Sequence, residues 1–328
     1  MQPLTLPGTT LSVSPLCLGG VPFGLTLSAA GSFDLLDRFV ELGGNFIDTA
    51  RVYSDWEPGE RRRSERILGD WLQARVRRDR LVIATKGAHP FIESLTVPRT
   101  SAAEIRDDLE GSLRQLRIEV IDLYWLHRDD PARPVGHFID VLNTFLREGK
   151  IRAFGASNWT AARLRAANDY ARASHQQGFV ANQPFWCLGC QQSRPPPFTG
   201  YVKLDADMLR FHSETGLAVI PYTAQANGFF SKLALPPSLR PANFAAHEFH
   251  TEPNLAAGKR VLELAEAKRV APSAIVLAYL WSRPFPVVPI IGCRTTAQLD
   301  DSIAALPVRL SSAELASLEH ASGSGLSA

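Results

Sequence analysis

The sequence predicts an α/β protein: a closed barrel of eight parallel strands ringed by helices, (β/α)8. Three observations carry that prediction. Short apolar runs of strand length alternate with longer segments whose apolar residues recur every three or four positions, the spacing of a helix with one buried face. The runs number eight, the count at which a parallel sheet closes on an interior that side chains can fill. Segments of helical length lie between them, as parallel strands require to re-enter a sheet from the same end. No repeat, linker or composition shift breaks the alternation, so residues 1–328 read as one domain.

In order along the chain, LTLPGTTLSV comes first and reads as a hairpin turning at Pro7–Gly8, suited to capping the lower end of the barrel. The strand runs follow at 15–19, 45–48, 81–86, 120–126, 151–157, 179–183, 217–222 and 287–291. The helical segments are FDLLDRFVEL, SERILGDWL, AEIRDDLEGSLRQL, HFIDVLNTFL, ARLRAANDYA and LDADMLRFH, then VLELAEAKRV and PSAIVLAYLWSR. Those last two both precede the eighth strand, so one is an insertion beyond the minimal TIM barrel. Long connections follow the third strand (HPFIESLTVPR), the sixth (PFWCLGCQQSRPPPFTG) and the seventh (Thr223 to about Pro253). In such a barrel the loops after strands form the face where ligands bind. The GSGLSA tail is expected to be mobile.

Composition narrows the function. With 45% hydrophobic and 21% charged residues the chain can build a large core, and a net charge of +2 argues against a nucleic-acid binder. The densest basic stretches, RRRSER (Arg61–Arg66) and ARVRRDR, accompany Ile67, Leu68, Trp71 and Leu72 at helical spacing and read as a solvated helix face. No signal peptide pattern and no apolar run of about 18 residues occurs, which points to a cytoplasmic protein without a membrane span. Four cysteines, 17, 187, 190 and 293, lack the second ligand pair a zinc site needs, so CLGC reads as loop thiols and no metal is expected.

The stretch NFIDTARVY ends a buried strand on a carboxylate, Asp48, followed by Tyr53. An acid there needs the strand's mouth or a cation, because a strand buried on both faces offers no water. Lys86 ends the next strand and His127 follows the one after, so three adjacent strand ends bring an acid, a base and an imidazole to one side of the mouth, with Tyr53 in reach. Lys86 is the expected partner of Asp48. A charged lysine beside a phenol favours the phenolate and makes Tyr53 a stronger acid, while a neutral His127 can donate to a carbonyl oxygen. The same lysine, uncharged, would instead serve as a Schiff-base nucleophile of a lyase or aldolase.

Asp-Thr-Ala with Tyr53, the strand ending in Lys86 and the LHR around His127 resemble the aldo-keto reductases, over nearly the whole chain. That resemblance implies a TIM barrel, reduction of an aldehyde or ketone with NADPH, and a catalytic set of Asp48, Tyr53, Lys86 and His127. It also implies cofactor contacts. Ser157, Asn158 and Gln183 match positions that bind the nicotinamide carboxamide, and Tyr222 one that stacks on its ring. Thr223, Gln225 and Gly228 stand in the loop after the seventh strand, and Gly292, Arg294, Gln298 and Asp301 in IIGCRTTAQLDDS, with Arg294 matched to the 2′-phosphate. Gly20 and Val21 replace a Thr and a Trp common in the family, TAQANG replaces a Ser-Pro-Leu, and Asp301 and Ser302 stand for Glu and Asn. The expected partner is therefore a small carbonyl or alcohol substrate. Trp56, His89, Phe91, Trp159 and Trp186 are candidate lining residues of a roomy apolar pocket. A non-catalytic regulatory subunit is the further alternative, since the potassium-channel β-subunits look similar.

Overall fold

The computed structural model describes residues 1–75, 78–196 and 199–323. Part of the second basic run, two residues of the loop after the sixth strand, and the tail from 324 onward, where mobility is expected, lie outside the described residues. At the N-terminus β1 (Leu4–Thr5) pairs antiparallel with β2 (Ser12–Val13), and Gly8 turns the chain at φ +72°. The barrel strands are β3 (Cys17–Gly19), β4 (Phe46–Asp48), β5 (Val82–Gly87), β6 (Ile121–Leu126), β7 (Ile151–Ser157), β8 (Ala181–Gln183), β9 (Ala218–Val219) and β10 (Ile290–Ile291). They run parallel in the order β10-β3-β4-β5-β6-β7-β8-β9.

The seam between β9 and β10 is closed by backbone bonds: Val219 donates to Pro286, Val288 to Val219 and Ile290 to Pro221, at 2.9, 2.9 and 3.0 Å. Proline explains why β10 is shorter than the run 287–291. Pro289 accepts from the Cys17 N–H at 3.0 Å but has no N–H to return to β3, so one rung is missing.

Helices α1 (Ala29–Glu41), α2 (Arg63–Arg75), α3 (Ala102–Leu116), α4 (Val135–Arg147), α5 (Ala161–Ala173) and α6 (Ala206–Thr215) follow successive strands. A short α7 (Phe229–Leu233) opens the segment before α8 (Glu252–Lys268) and α9 (Pro272–Trp281). Thus two full helices do precede the eighth strand. α10 (Thr296–Ala304) and α11 (Ser312–Ser322) close the chain, and α11 packs on α8. α9 is apolar nearly all round because α7, α8 and α10 all lie against it. The basic face of α2 is solvated as expected: Ile67, Leu68, Trp71 and Leu72 are buried while Arg66 pairs with Glu60 and Asp70.

Two cores result. One lies between sheet and helices; the other fills the barrel. In the second, Leu6, Leu11 and Val13 of the hairpin pack beneath Phe46, Val82, Leu123 and Val180, so the hairpin is an apolar plug in the lower end. At the opposite end the buried polar residues Asp48 and Lys86 stand at or near the ends of β4 and β5. No described helix is long and apolar enough to cross a membrane.

Candidate active site

Strand periodicity places the first group. On β4, Phe46 faces the interior, so Asp48 two residues on does too; on β5 the interior series is Val82, Ala84, Lys86. The register sets Asp48 opposite Ala84, which leaves Lys86 one layer above the carboxylate. A turn after β4, closed by the Tyr53 N–H on Ala50 at 3.1 Å, brings the phenol back over the mouth.

The Lys86 Nζ donates to Asp48 Oδ2, to the Thr49 carbonyl at 2.8 Å and to the Tyr53 hydroxyl at 2.8 Å. All three of its donors are engaged. Gln183 Nε2 donates to the other carboxylate oxygen at 3.2 Å. Asp48 and Lys86 are each 1% exposed, and the cation the buried acid required is this lysine. Burial pushes Asp48 above the usual carboxylate range and Lys86 and Gln183 pull it back. For Lys86, burial disfavours the charge, but Asp48 and Tyr53 outweigh it and hold the ammonium above its ordinary value.

Tyr53 departs from expectation. Burial raises its hydroxyl above the ordinary tyrosine value, and the lowering by Lys86 is opposed by Asp48. Seen from the phenol, the ion pair is close to neutral, so desolvation decides and the proton is held more firmly than lysine alone would dictate.

His127 sits at the end of β6, its N–H bonded to the Gly87 carbonyl at 2.8 Å. Its ring meets Tyr53 edge-on at 6.0 Å between centroids and His89 at 4.7 Å. Burial, then His89, Arg128 and Lys86, hold it well below the usual histidine value, so the ring is neutral. Its buried Nδ1 has no hydrogen-bond partner among the described residues. A proton-bearing phenol fixed by an ammonium thus stands beside a neutral imidazole not fully engaged by the protein. A carbonyl oxygen at that point could receive both a hydrogen bond and a proton.

The ends of β7, β8 and β9 join this group. Ser157 Oγ donates to the Gln183 carbonyl at 2.9 Å, and Asn158, left-handed at φ +61°, donates to Ser157 Oγ and the His127 carbonyl. The Tyr222 hydroxyl donates to Asn158 Oδ1 at 2.7 Å. Ser157, Asn158, Gln183 and Tyr222 are therefore brought together with the first four residues, although their polar atoms already bind one another. Gly20 stands at the rim of β3, its N–H on the Asp48 carbonyl at 2.7 Å, with Val21 40% exposed beside it.

The remaining expected residues gather on the loops after β9 and β10. Thr223, Ala226, Asn227 and Gly228 have positive φ, and Gln225 Nε2 bonds Ser302 Oγ at 3.1 Å, tying the two loops together. Gly292 has open space where a Cβ would stand. Gln298 accepts from the Arg294 N–H at 2.8 Å, and Arg294, Gln298 and Asp301 are exposed. Lys232 also belongs here, and sequence reading missed it: burial and the nearby Arg294 push its ammonium below the ordinary lysine value. Two cations at one loop junction, with a glycine cradle beside them, fit a phosphate group. Nothing in the sequence marks Lys232; only the folded 223–253 segment sets it near Arg294.

Two expected lining residues are displaced. Trp159 is fully buried against Phe138 and Phe179, and Trp186 is fully buried against Tyr279 and Phe285, so both belong to the layer between sheet and helices. Each follows its strand end by only two or three residues, where the chain is still tucked under the helix ring. Trp56 remains at the site, 41% exposed and edge-on to Tyr53, as does His89; Phe91 is exposed under the Arg99 guanidinium.

Residues 15–322 match the family model described as the aldo/keto reductase family. The chain belongs to that family. Similar proteins include norsolorinic acid reductase stcV of Emericella nidulans, 33% identical over 94% of this chain and 78% of that protein. Aldo-keto reductase ausK of Aspergillus calidoustus is 31% identical over 95% and 80%, and an aryl-alcohol dehydrogenase [NADP(+)] of Phanerodontia chrysosporium 28% identical over 93% and 81%. This aldo/keto reductase is accordingly an NAD(P)H-dependent oxidoreductase with an (β/α)8 fold.

Proposed function

We propose that this reductase converts an aldehyde or ketone to an alcohol with NADPH, and that Tyr53 supplies the proton. The observation that carries the reading is the Lys86 Nζ at 2.8 Å from the Tyr53 hydroxyl, in a site where Asp48 keeps the lysine charged. Bound NADPH would supply the hydride. Arg294 and Lys232 would hold its 2′-phosphate, Gly228 and Gly292 would let the chain approach it closely, and Tyr222, Ser157, Asn158 and Gln183 would hold its reactive end. A relative named with NADP(+) supports the phosphorylated form of the cofactor.

In reduction, His127 donates a hydrogen bond to the substrate oxygen and aligns it with the phenol. As negative charge develops on that oxygen, Tyr53 releases its proton and Lys86 stabilises the phenolate left behind. Asp48 prevents the lysine from answering burial by losing its own proton. That same pairing opposes a Schiff-base role, which needs a neutral amine. The relatives' names and the rings of Trp56 and His89 favour an aryl carbonyl compound. A cytoplasmic setting fits four cysteines that are all free.

Tyr53→Phe removes the proton and keeps the ring. Steady-state turnover should fall by about 100- to 10,000-fold, the usual worth of a positioned acid, while NADPH binding followed by fluorescence stays within a fewfold. Turnover retained within a fewfold would remove Tyr53 from the chemistry.

A further inference from the structure

One cation at the mouth takes no part in the scheme above. Arg128 follows His127 directly and donates to two backbone carbonyls, those of His127 at 3.2 Å and Thr199 at 3.4 Å. Neither is an anion. The two acids next in sequence are committed elsewhere: Asp129 to Arg163 at 2.7 Å, and Asp130 to Thr100 at 2.7 Å and Arg133 at 3.4 Å. Arg128 makes no ion pair of its own among the described residues. Meanwhile Lys86 is matched by Asp48, Arg99 is paired with Asp108, and both His127 and His89 are neutral.

The guanidinium is close enough to the reacting groups to be felt by them. It opposes the protonation of His127 and His89 and favours ionisation of Tyr53 and Tyr222. It is itself partly desolvated, which lowers its own tendency to hold charge. A cation withdrawn from water without a counter-ion is unfavourable, and an arriving anion relieves that penalty. Gly200 lies close against it and brings no side chain: a Cβ there would stand 3.1 Å from the Arg128 Nε, a crowded contact.

We infer that Arg128 is a specificity residue, and that preferred substrates carry an anionic oxygen substituent, a carboxylate or an ionised acidic hydroxyl, beside the carbonyl that is reduced. The inference rests on the carbonyl-reductase reading and names its substrate class. A guanidinium receives two oxygens in a fork, so it fixes the substrate's orientation as well as attracting it.

The test uses matched aromatic aldehydes, 3- and 4-carboxybenzaldehyde against the corresponding formylbenzamides, with NADPH oxidation as the readout. The ratio of kcat/KM values decides, not either rate. In the parent enzyme at least one carboxylate should exceed its amide by about tenfold or more, the worth of a charge-assisted hydrogen bond. Arg128→Gln should bring that ratio near one, Arg128→Lys should keep part of it, and raising salt should shrink it in the parent. A parent ratio of one or less, or a ratio untouched by Arg128→Gln, overturns the inference and leaves the reductase reading standing. NADPH oxidation with no member of the panel overturns both. Should Arg128→Gln not fold, inhibition of the parent decides: benzoate should bind at least tenfold tighter than benzamide, and equal binding refutes the assignment.

Discussion

The two flanks of the barrel mouth are built on opposite principles. On the β4–β6 flank, Asp48 and Lys86 are fully buried, set by strand register, and bonded to one another and to Tyr53 before any ligand arrives. On the β9–β10 flank the candidate binding groups sit on the positive-φ loop after β9, on the short α7 and around the start of α10; Arg294, Gln298 and Asp301 are exposed, and Arg294 acts on the half-buried Lys232 to disfavour its charge. Chemistry needs fixed distances, which rigid strands supply; binding a charged cofactor needs uncompensated potential, which only an exposed loop can carry without unfolding the chain. Stability and affinity should therefore respond separately to changes on the two sides.

The sharpest way to break this contrast is Asp48→Asn. It removes the counter-charge and leaves Lys86 buried and unpaired, a loss of about 3–5 kcal/mol in stability, readable by urea unfolding. Activity should fall at least about 100-fold in the same variant, because a neutral amine no longer stabilises the phenolate. Wild-type stability in this variant would mean that the pair is not what holds the flank together. On the other side, Arg294→Ala should leave the unfolding midpoint unchanged and raise the KM for NADPH by about tenfold or more, as loss of a charge-assisted bond to phosphate does. The KM for NADH, which lacks that phosphate, should not move. Equal weakening of both cofactors would transfer the phosphate role to Lys232.

The same division governs how much the sequence could disclose. The strand ends were legible because period-two alternation and an acid closing an apolar run are local facts, and Asp48, Lys86 and Tyr53 meet as read. Trp159 and Trp186 were misplaced because a strand-end aromatic can turn over the mouth or under the helix ring, and local pattern does not separate the two. α10 and α11 were missed as helices. For α11 a signal existed: Ser311 and Glu314 form a capping box ahead of the helix, the same device that starts α3 at Ser101 and Glu104. Lys232 and Arg128 carry no such local mark, since their meaning depends on which charges the fold leaves unmatched around them.

The smallest expected effect is the absence of one, and it tests the preorganised flank most finely. Reduction requires a protonated Tyr53, so its rate falls as pH rises through the phenol's pKa; it requires a neutral His127, so it falls as pH drops through the imidazole's. Burial places the first above the ordinary tyrosine value of 10.0 and the second well below the ordinary histidine value of 6.5. Neither group changes state between pH 7 and 9, so kcat/KM for the aldehyde at saturating NADPH should be flat across that window. A lysine whose charge reached the phenol unopposed by Asp48 would instead move the falling limb down toward this window, because an unopposed positive charge lowers a phenol's pKa by about 1–3 units. In Asp48→Asn, where the unpaired amine is neutral, the profile should stay flat at its reduced rate; a limb already present in the parent enzyme would show that Lys86 overrides both burial and Asp48.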